Sequence, residues 1–187
     1  MVDFGDLPVV VTRLKAFVLY NLCILIGCSH IASENKVHLI FNKDIRISYQ
    51  GNSAVMMSMI GPEGIAIGAA IDEGVSKTFE ANLSSKGGSK GVLTRCFDEV
   101  STQHPIGNIS ELFIENIAIV PQDDGFYALL QGSIKYQGKS LNFVGGKRDW
   151  GMKGELSSIK DDPMLTEQLL MRACKAIWLE WSTNHAS

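Results

Sequence analysis

Residues 112–144 read LFIENIAIVPQDDGFYALLQGSIKYQGKSLNFV, and this stretch decides the fold class. Leu112 to Val120 alternates as a strand, with Phe113, Glu115, Ile117 and Ile119 on one side and Ile114, Asn116 and Ala118 on the other. Pro121-Gln122-Asp123-Asp124-Gly125 carries turn chemistry. Phe126 to Tyr136 is a second β-prone run, Tyr136-Gln137-Gly138-Lys139 turns the chain again, and Ser140 to Val144 is a third strand. Three strands joined by tight turns make a meander, which is antiparallel.

Two further runs precede the meander. Val37 to Phe41 and Ile45 to Tyr49 are β-prone, and Asn42-Lys43-Asp44 between them reads as a hairpin turn. After the meander, Asp162 suits a helix N-cap and Pro163 the first helical position. Leu165, Leu169, Ala173, Ile177 and Trp181 then form a stripe at four-residue spacing, which marks a helix laid on the sheet. Gly145 to Lys160 reads as loop, and Val92 to Val100 as a short helix.

The segment from Ala54 to Leu83 is the least ordinary. AVMMSMI is apolar, Gly61-Pro62-Glu63 interrupts it, and a helix is expected over 62–83. Ile65, Gly68, Ile71, Val75, Phe79 and Leu83 recur on one face, with Asp72, Glu73, Lys77 and Glu80 on the other. Gly64 and Gly68 make a GxxxG step, and glycine in a helix costs about 1 kcal/mol relative to alanine. Close approach of another backbone would account for it; membrane insertion by a glycine zipper is the sharper alternative, opposed by Glu63, Asp72 and Glu73. The expected fold is α+β: an antiparallel sheet of about five strands with two main helices packed on one face.

The N-terminal region belongs to a different kind of sequence. Arg13 and Lys15 precede the apolar run Ala16 to Ile26, which is too short to span a bilayer. It ends in Leu25-Ile26-Gly27-Cys28, which resembles the lipobox of bacterial lipoproteins. The resemblance implies a signal peptide over 1–27, cleavage between Gly27 and Cys28, and lipidation of the Cys28 thiol. It further implies a lipidated tether over 28–35 and a single α+β domain over 36–187. In that family Ser29 after the cysteine favours the outer membrane, periplasmic face, over the inner membrane.

Composition narrows the partners. Net charge is −3 with no basic stripe, so no nucleic-acid footprint is present. Cys96 and Cys174 remain after the leader and Cys28 are set aside, and an oxidising periplasm favours a bond between them; two separate buried thiols are the other reading. No metal ligand set or cofactor motif is expected, since His30, His38, His104 and His185 are scattered.

Catalytic motifs are weak. Gly87-Gly88-Ser89-Lys90-Gly91 matches G-x-S-x-G by letter but lacks a buried strand before it, and Ser84 to Gly91 reads as a flexible loop. Gly145-Gly146-Lys147 is an incomplete phosphate loop. Asp123-Asp124 reads as turn chemistry, and Trp178 and Trp181 as core. The layout is similar to small envelope lipoproteins that assist transport or assembly machines. The functional expectation is therefore a lipid-anchored, non-catalytic binding module with an envelope protein partner. A membrane-anchored hydrolase and a glycine-zipper membrane-inserting protein are the alternatives.

Overall fold

The computed structural model describes residues 37–146 and 150–185. Gly27 and Cys28, with the rest of the expected leader and tether, lie outside the described residues, as do His30 and Lys147. The described residues fall within one compact unit, Asn35–Ser187.

The fold is α+β. Among the described residues six strands form one sheet: β1 (His38–Phe41), β2 (Ile47–Tyr49), β3 (Ile109–Gln122), β4 (Gly125–Tyr136), β5 (Lys139–Gly145) and β6 (Met152–Lys153). Among the described residues five α-helices accompany it: α1 (Ser53–Met57), α2 (Pro62–Asn82), α3 (Gly88–Gln103), α4 (Leu156–Asp161) and α5 (Pro163–His185).

The sheet is mixed, which corrects the expectation of an antiparallel one. The meander β3–β4–β5 is antiparallel, in the order β1-β3-β4-β5. β1 and β2, however, both pair with β3 in parallel. They are not a hairpin. Phe41 pairs with Ile114 and Ile47 with Ile117, so both lie on the same edge of β3, one after the other. Between them the chain detours over residues 42–46, tied down by the Asn42 amide donating to the Ile114 carbonyl at 2.9 Å. The expected turn is present, closed by the Ile45 amide donating to the Asn42 carbonyl at 3.2 Å, but it interrupts one edge strand instead of joining two hairpin strands. The return to β3 in the same direction runs through α1, α2 and α3, the long crossover that parallel pairing requires.

β3 is itself irregular at this place. Its register against β4 shifts between Ile114 and Asn116. The extra residue exposes Glu115 and brings Leu112, Ile114, Ile117 and Ile119 to the same buried face. Strict alternation placed Ile114 opposite Ile117 and Ile119; the bulge reverses that.

Three long helices cover the sheet rather than two. The core joins Leu112, Ile114, Ile117, Ile119, Leu130 and Ile134 of the sheet with Phe79 of α2, Leu83 just past its end, Val92, Leu93 and Phe97 of α3, and Leu169, Leu170, Ile177 and Trp178 of α5. The expected flexible loop at Ser84–Gly91 is structured: Ser84–Lys86 is a 3₁₀ turn and α3 begins at Gly88. The expected loop after Gly145 contains β6, which pairs with β4 at Gly125 and Phe126, and the short α4.

Candidate interaction surface

Polar side chains of α2 dock it on the interrupted edge. The Tyr49 amide donates to Ser76 Oγ at 2.7 Å and the Ile47 amide to Glu80 Oε2 at 3.1 Å, while Arg46 pairs with Glu73 at 2.8 Å. Ser76 and Glu80 therefore face β2, and Glu73, still partly exposed, reaches Arg46 just before the strand. These contacts fix α2 antiparallel to β2, with its N-terminal half continuing past Tyr49, where the strand ends. Asp72 lies beside Gly51 at that point, and Pro62 is ten residues further, about 15 Å at 1.5 Å per residue.

Beyond Asp72, α2 has no sheet to lie on. Instead α1 and a 3₁₀ turn (Ser58–Ile60) fold back along it. Gly61, at φ +99°, makes the reversal, and Pro62 opens α2. The seam of this helical hairpin is built from glycine. A Cβ at Gly64 would run into the Met57 carbonyl, and one at Gly68 into the Ser53 carbonyl. The GxxxG step thus lets a second helix approach as close as backbone contact.

Most of the surface outside the seam is apolar and exposed, with Ser58 and Glu63 as the polar exceptions near the tip. Met59 at the tip is 95 % exposed, Met56 73 %, Val55 71 % and Ile60 68 %; Ile65, Ile67 and Ile71 of α2 are about half exposed. α1 contributes no buried residue. The expected buried face of α2 is real only in its second half, where Phe79 is buried; Ile65 and Ile71 face outward. Soluble monomers rarely leave so contiguous an apolar patch without a use for it. The hairpin also has a definite place: the chain enters the sheet at His38, beside Glu111, while β2 ends beside Ile119. The hairpin stands at the end of the sheet opposite to that entry.

At the root of the hairpin, Asp72 Oδ1 is buried and has no hydrogen-bond partner among the described residues. It lies near the Tyr49 ring around Gly51. Burial first, and the Asp72 charge second, raise the Tyr49 phenol above its ordinary pKa.

The weak catalytic motifs are absorbed by packing. Ser89 is fully buried in the first turn of α3, and its amide and hydroxyl donate to Glu80 Oε1 at 3.0 and 3.1 Å. Gly145 lies against Ile177, and Gly146, at φ +108°, against the Ala128 carbonyl. Asp123 and Asp124 form the tight β3–β4 turn, where Asp124 pairs with Lys153 at 2.9 Å. His38 and His104 lie on separate elements, β1 and the end of α3; His104 offers its carbonyl to the Trp178 indole at 2.8 Å. Trp178 is buried and Trp181 packs edge-on to Tyr136.

Cys96 and Cys174 are joined by a disulfide between α3 and α5. Among the described residues no group of three or more His, Cys, Asp or Glu is placed to hold a metal, and no helix is long and apolar enough to cross a membrane. No protein-family model, curated protein or solved structure matches the chain. The class that geometry alone defines is a mixed-sheet α+β domain with an apolar helical hairpin at one pole.

Proposed function

We propose that this chain is a lipid-anchored lipoprotein of the bacterial outer membrane, facing the periplasm, whose head binds an envelope protein through the hairpin of residues 53–71 and catalyses nothing. The observation that carries the binding role is the apolar, exposed outer surface of that hairpin. Two further features support the setting. The Leu25-Ile26-Gly27-Cys28 sequence follows a basic and then an apolar run. The Cys96–Cys174 disulfide suits an oxidising compartment. The hairpin lies at the pole of the sheet away from His38.

One observation favours a second reading. Exposed apolar side chains lie on both helices and on the tip, as a surrounding hydrocarbon medium would accept. Glu63, one residue beyond Pro62 at the tip, opposes this, because a buried carboxylate in lipid is costly.

Two measurements test the proposal. Cys28→Ala should move the protein from the membrane to the aqueous fraction; full retention in the membrane would remove the anchor. A photoactivatable side chain in place of Met59, used in intact envelopes, should join the head to a discrete protein. Labelling of lipid alone would transfer the role of the hairpin to the bilayer.

A further inference from the structure

Three of the seven methionines of the chain, Met56, Met57 and Met59, fall within four residues of the hairpin. Met56 and Met59 stand three residues apart on a continuous helical turn, so they share one side of it. They are the two most exposed apolar side chains of the hairpin, whereas Met57 is half-buried. The other exposed apolar residues there, Val55, Ile60, Ile65, Ile67 and Ile71, are pure hydrocarbon. Residues 53–72 contain no Cys, His, Trp or Tyr. The thioether sulfurs are therefore the groups of the hairpin that a peroxide attacks.

Elsewhere in the fold such an attack would be damage. Met152 and Met171 pack against the core, which has no place for a new polar oxygen. The hairpin differs, because α1 buries no residue. A sulfoxide at Met56 or Met59 keeps its oxygen in water and leaves the core packing untouched. What changes is the surface: a flexible apolar side chain becomes a polar one at the centre of the apolar patch.

We propose that Met56 and Met59 form a reversible oxidation site that switches the hairpin from an apolar docking form to a polar form that does not dock. The oxidant is a peroxide, with hydrogen peroxide the simplest. The sulfur gives an electron pair to one peroxide oxygen, the S–O bond forms and the O–O bond breaks. The second oxygen leaves with both protons as water, so sulfur loses two electrons and the peroxide gains them. Reversal takes two electrons from a thiol pair through a methionine sulfoxide reductase, and the oxygen leaves as water. The switch rests on the docking role proposed above for residues 53–71. A partner surface shaped for apolar side chains would bury the sulfoxide oxygen without a donor, which weakens association about tenfold per site.

Partial oxidation tests this in one sample. The full chain, with a photoactivatable side chain in place of Val55, is purified in detergent and treated with hydrogen peroxide until about half of each exposed methionine is converted. Catalase ends the reaction, the chain is added to envelopes that lack it, and the mixture is irradiated. Peptide mass spectrometry then compares captured with free chains. Sulfoxide at Met56 and Met59 should be depleted at least about fivefold in the captured fraction. Sulfoxide at Met164, 64 % exposed on α5 and outside the hairpin, should be equal in both. The melting temperature should not change with conversion of Met56 and Met59. The variant Met56→Leu with Met59→Leu, apolar but without sulfur, should be captured equally before and after peroxide. Equal sulfoxide at Met56 and Met59 in the two fractions would overturn the proposal. So would capture of the leucine variant that falls with peroxide as the parent's does, or a melting temperature lowered by oxidation at the tip. Absence of any captured protein before peroxide is added would instead remove the docking role itself, and the switch with it.

Discussion

Glu80 shows how a residue that reads as surface becomes a structural node. Its carboxylate accepts from the Ile47 amide on β2 and from both the amide and hydroxyl of Ser89 on α3. The N-cap of α3 is Gly87, which brings no side chain, so Glu80 caps that helix from the preceding one and meets its positive end. Glu80→Ala strands the fully buried Ser89 hydroxyl and two amides. We expect a loss of about 3 kcal/mol in chemical denaturation, since each unsatisfied buried group costs roughly 1–3 kcal/mol. Tyr49 gives a prediction of another kind. Its pKa is raised in the fold by burial and then by Asp72, so the neutral phenol is favoured. The stabilisation is complete below the unfolded phenol's pKa of about 10 and disappears as pH rises through the folded value. Melting temperatures between about pH 8 and 11 should therefore fall more steeply for the parent chain than for Tyr49→Phe, with Asp72→Asn between them. Neither role was legible in the sequence, because Glu80 and Asp72 sit in a polar stripe that reads as a solvated helix face.

The hairpin is an element whose two halves obey different rules. α2 from Val75 onward is a core helix; before Asp72 it is covered, among the described residues, by α1 and the 3₁₀ turn, across Gly64 and Gly68. Gly68→Val should push α1 away. Because α1 buries nothing in the core, the expected result is faster proteolysis within 53–61 with little change in the global melting temperature. Gly74, with open space around it, is the contrasting site: Gly74→Ala should stabilise by up to about 1 kcal/mol through helix propensity. The unusual composition of residues 54–71 was visible in the sequence, and so was a close-approach reading of the glycines. Which helix approaches, and that the isoleucines stay outside, were not. The bulge at Glu115 was hidden for a related reason: Ile114 and Ile117 are two buried residues out of phase, and only the hand-over from β1 to β2 on the neighbouring edge explains the break.

At the scale of the molecule, the disulfide closes the helical layer over the sheet. It links α3 to α5 across a sequence separation of 78 residues. Constraining a loop of that length is worth about 4 kcal/mol in the chain-entropy model, or roughly 10 °C in melting temperature for a domain of this size. Reduction with the fold intact, or Cys96→Ala with Cys174→Ala, should lower the melting temperature by about that amount. An equal melting point would show that packing around Phe97 and Trp178 suffices alone. The same scale explains the placement of the hairpin, since it follows from which strand lies beside which.

Local patterns determined the α+β class, the three meander strands and the C-terminal helix. A period of two, a period near four, turn residues and a cap act within a few residues of themselves. The cap at Asp162, whose carboxylate accepts from the Met164 amide at 2.8 Å, is of that kind. Tertiary structure alone decided that β1 and β2 run parallel to β3, that a polar stripe guards one edge, and that the apolar hairpin stays uncovered. Those outcomes depend on partners as far apart as His38 and Glu111, and a side chain carries no local mark of what it will meet there.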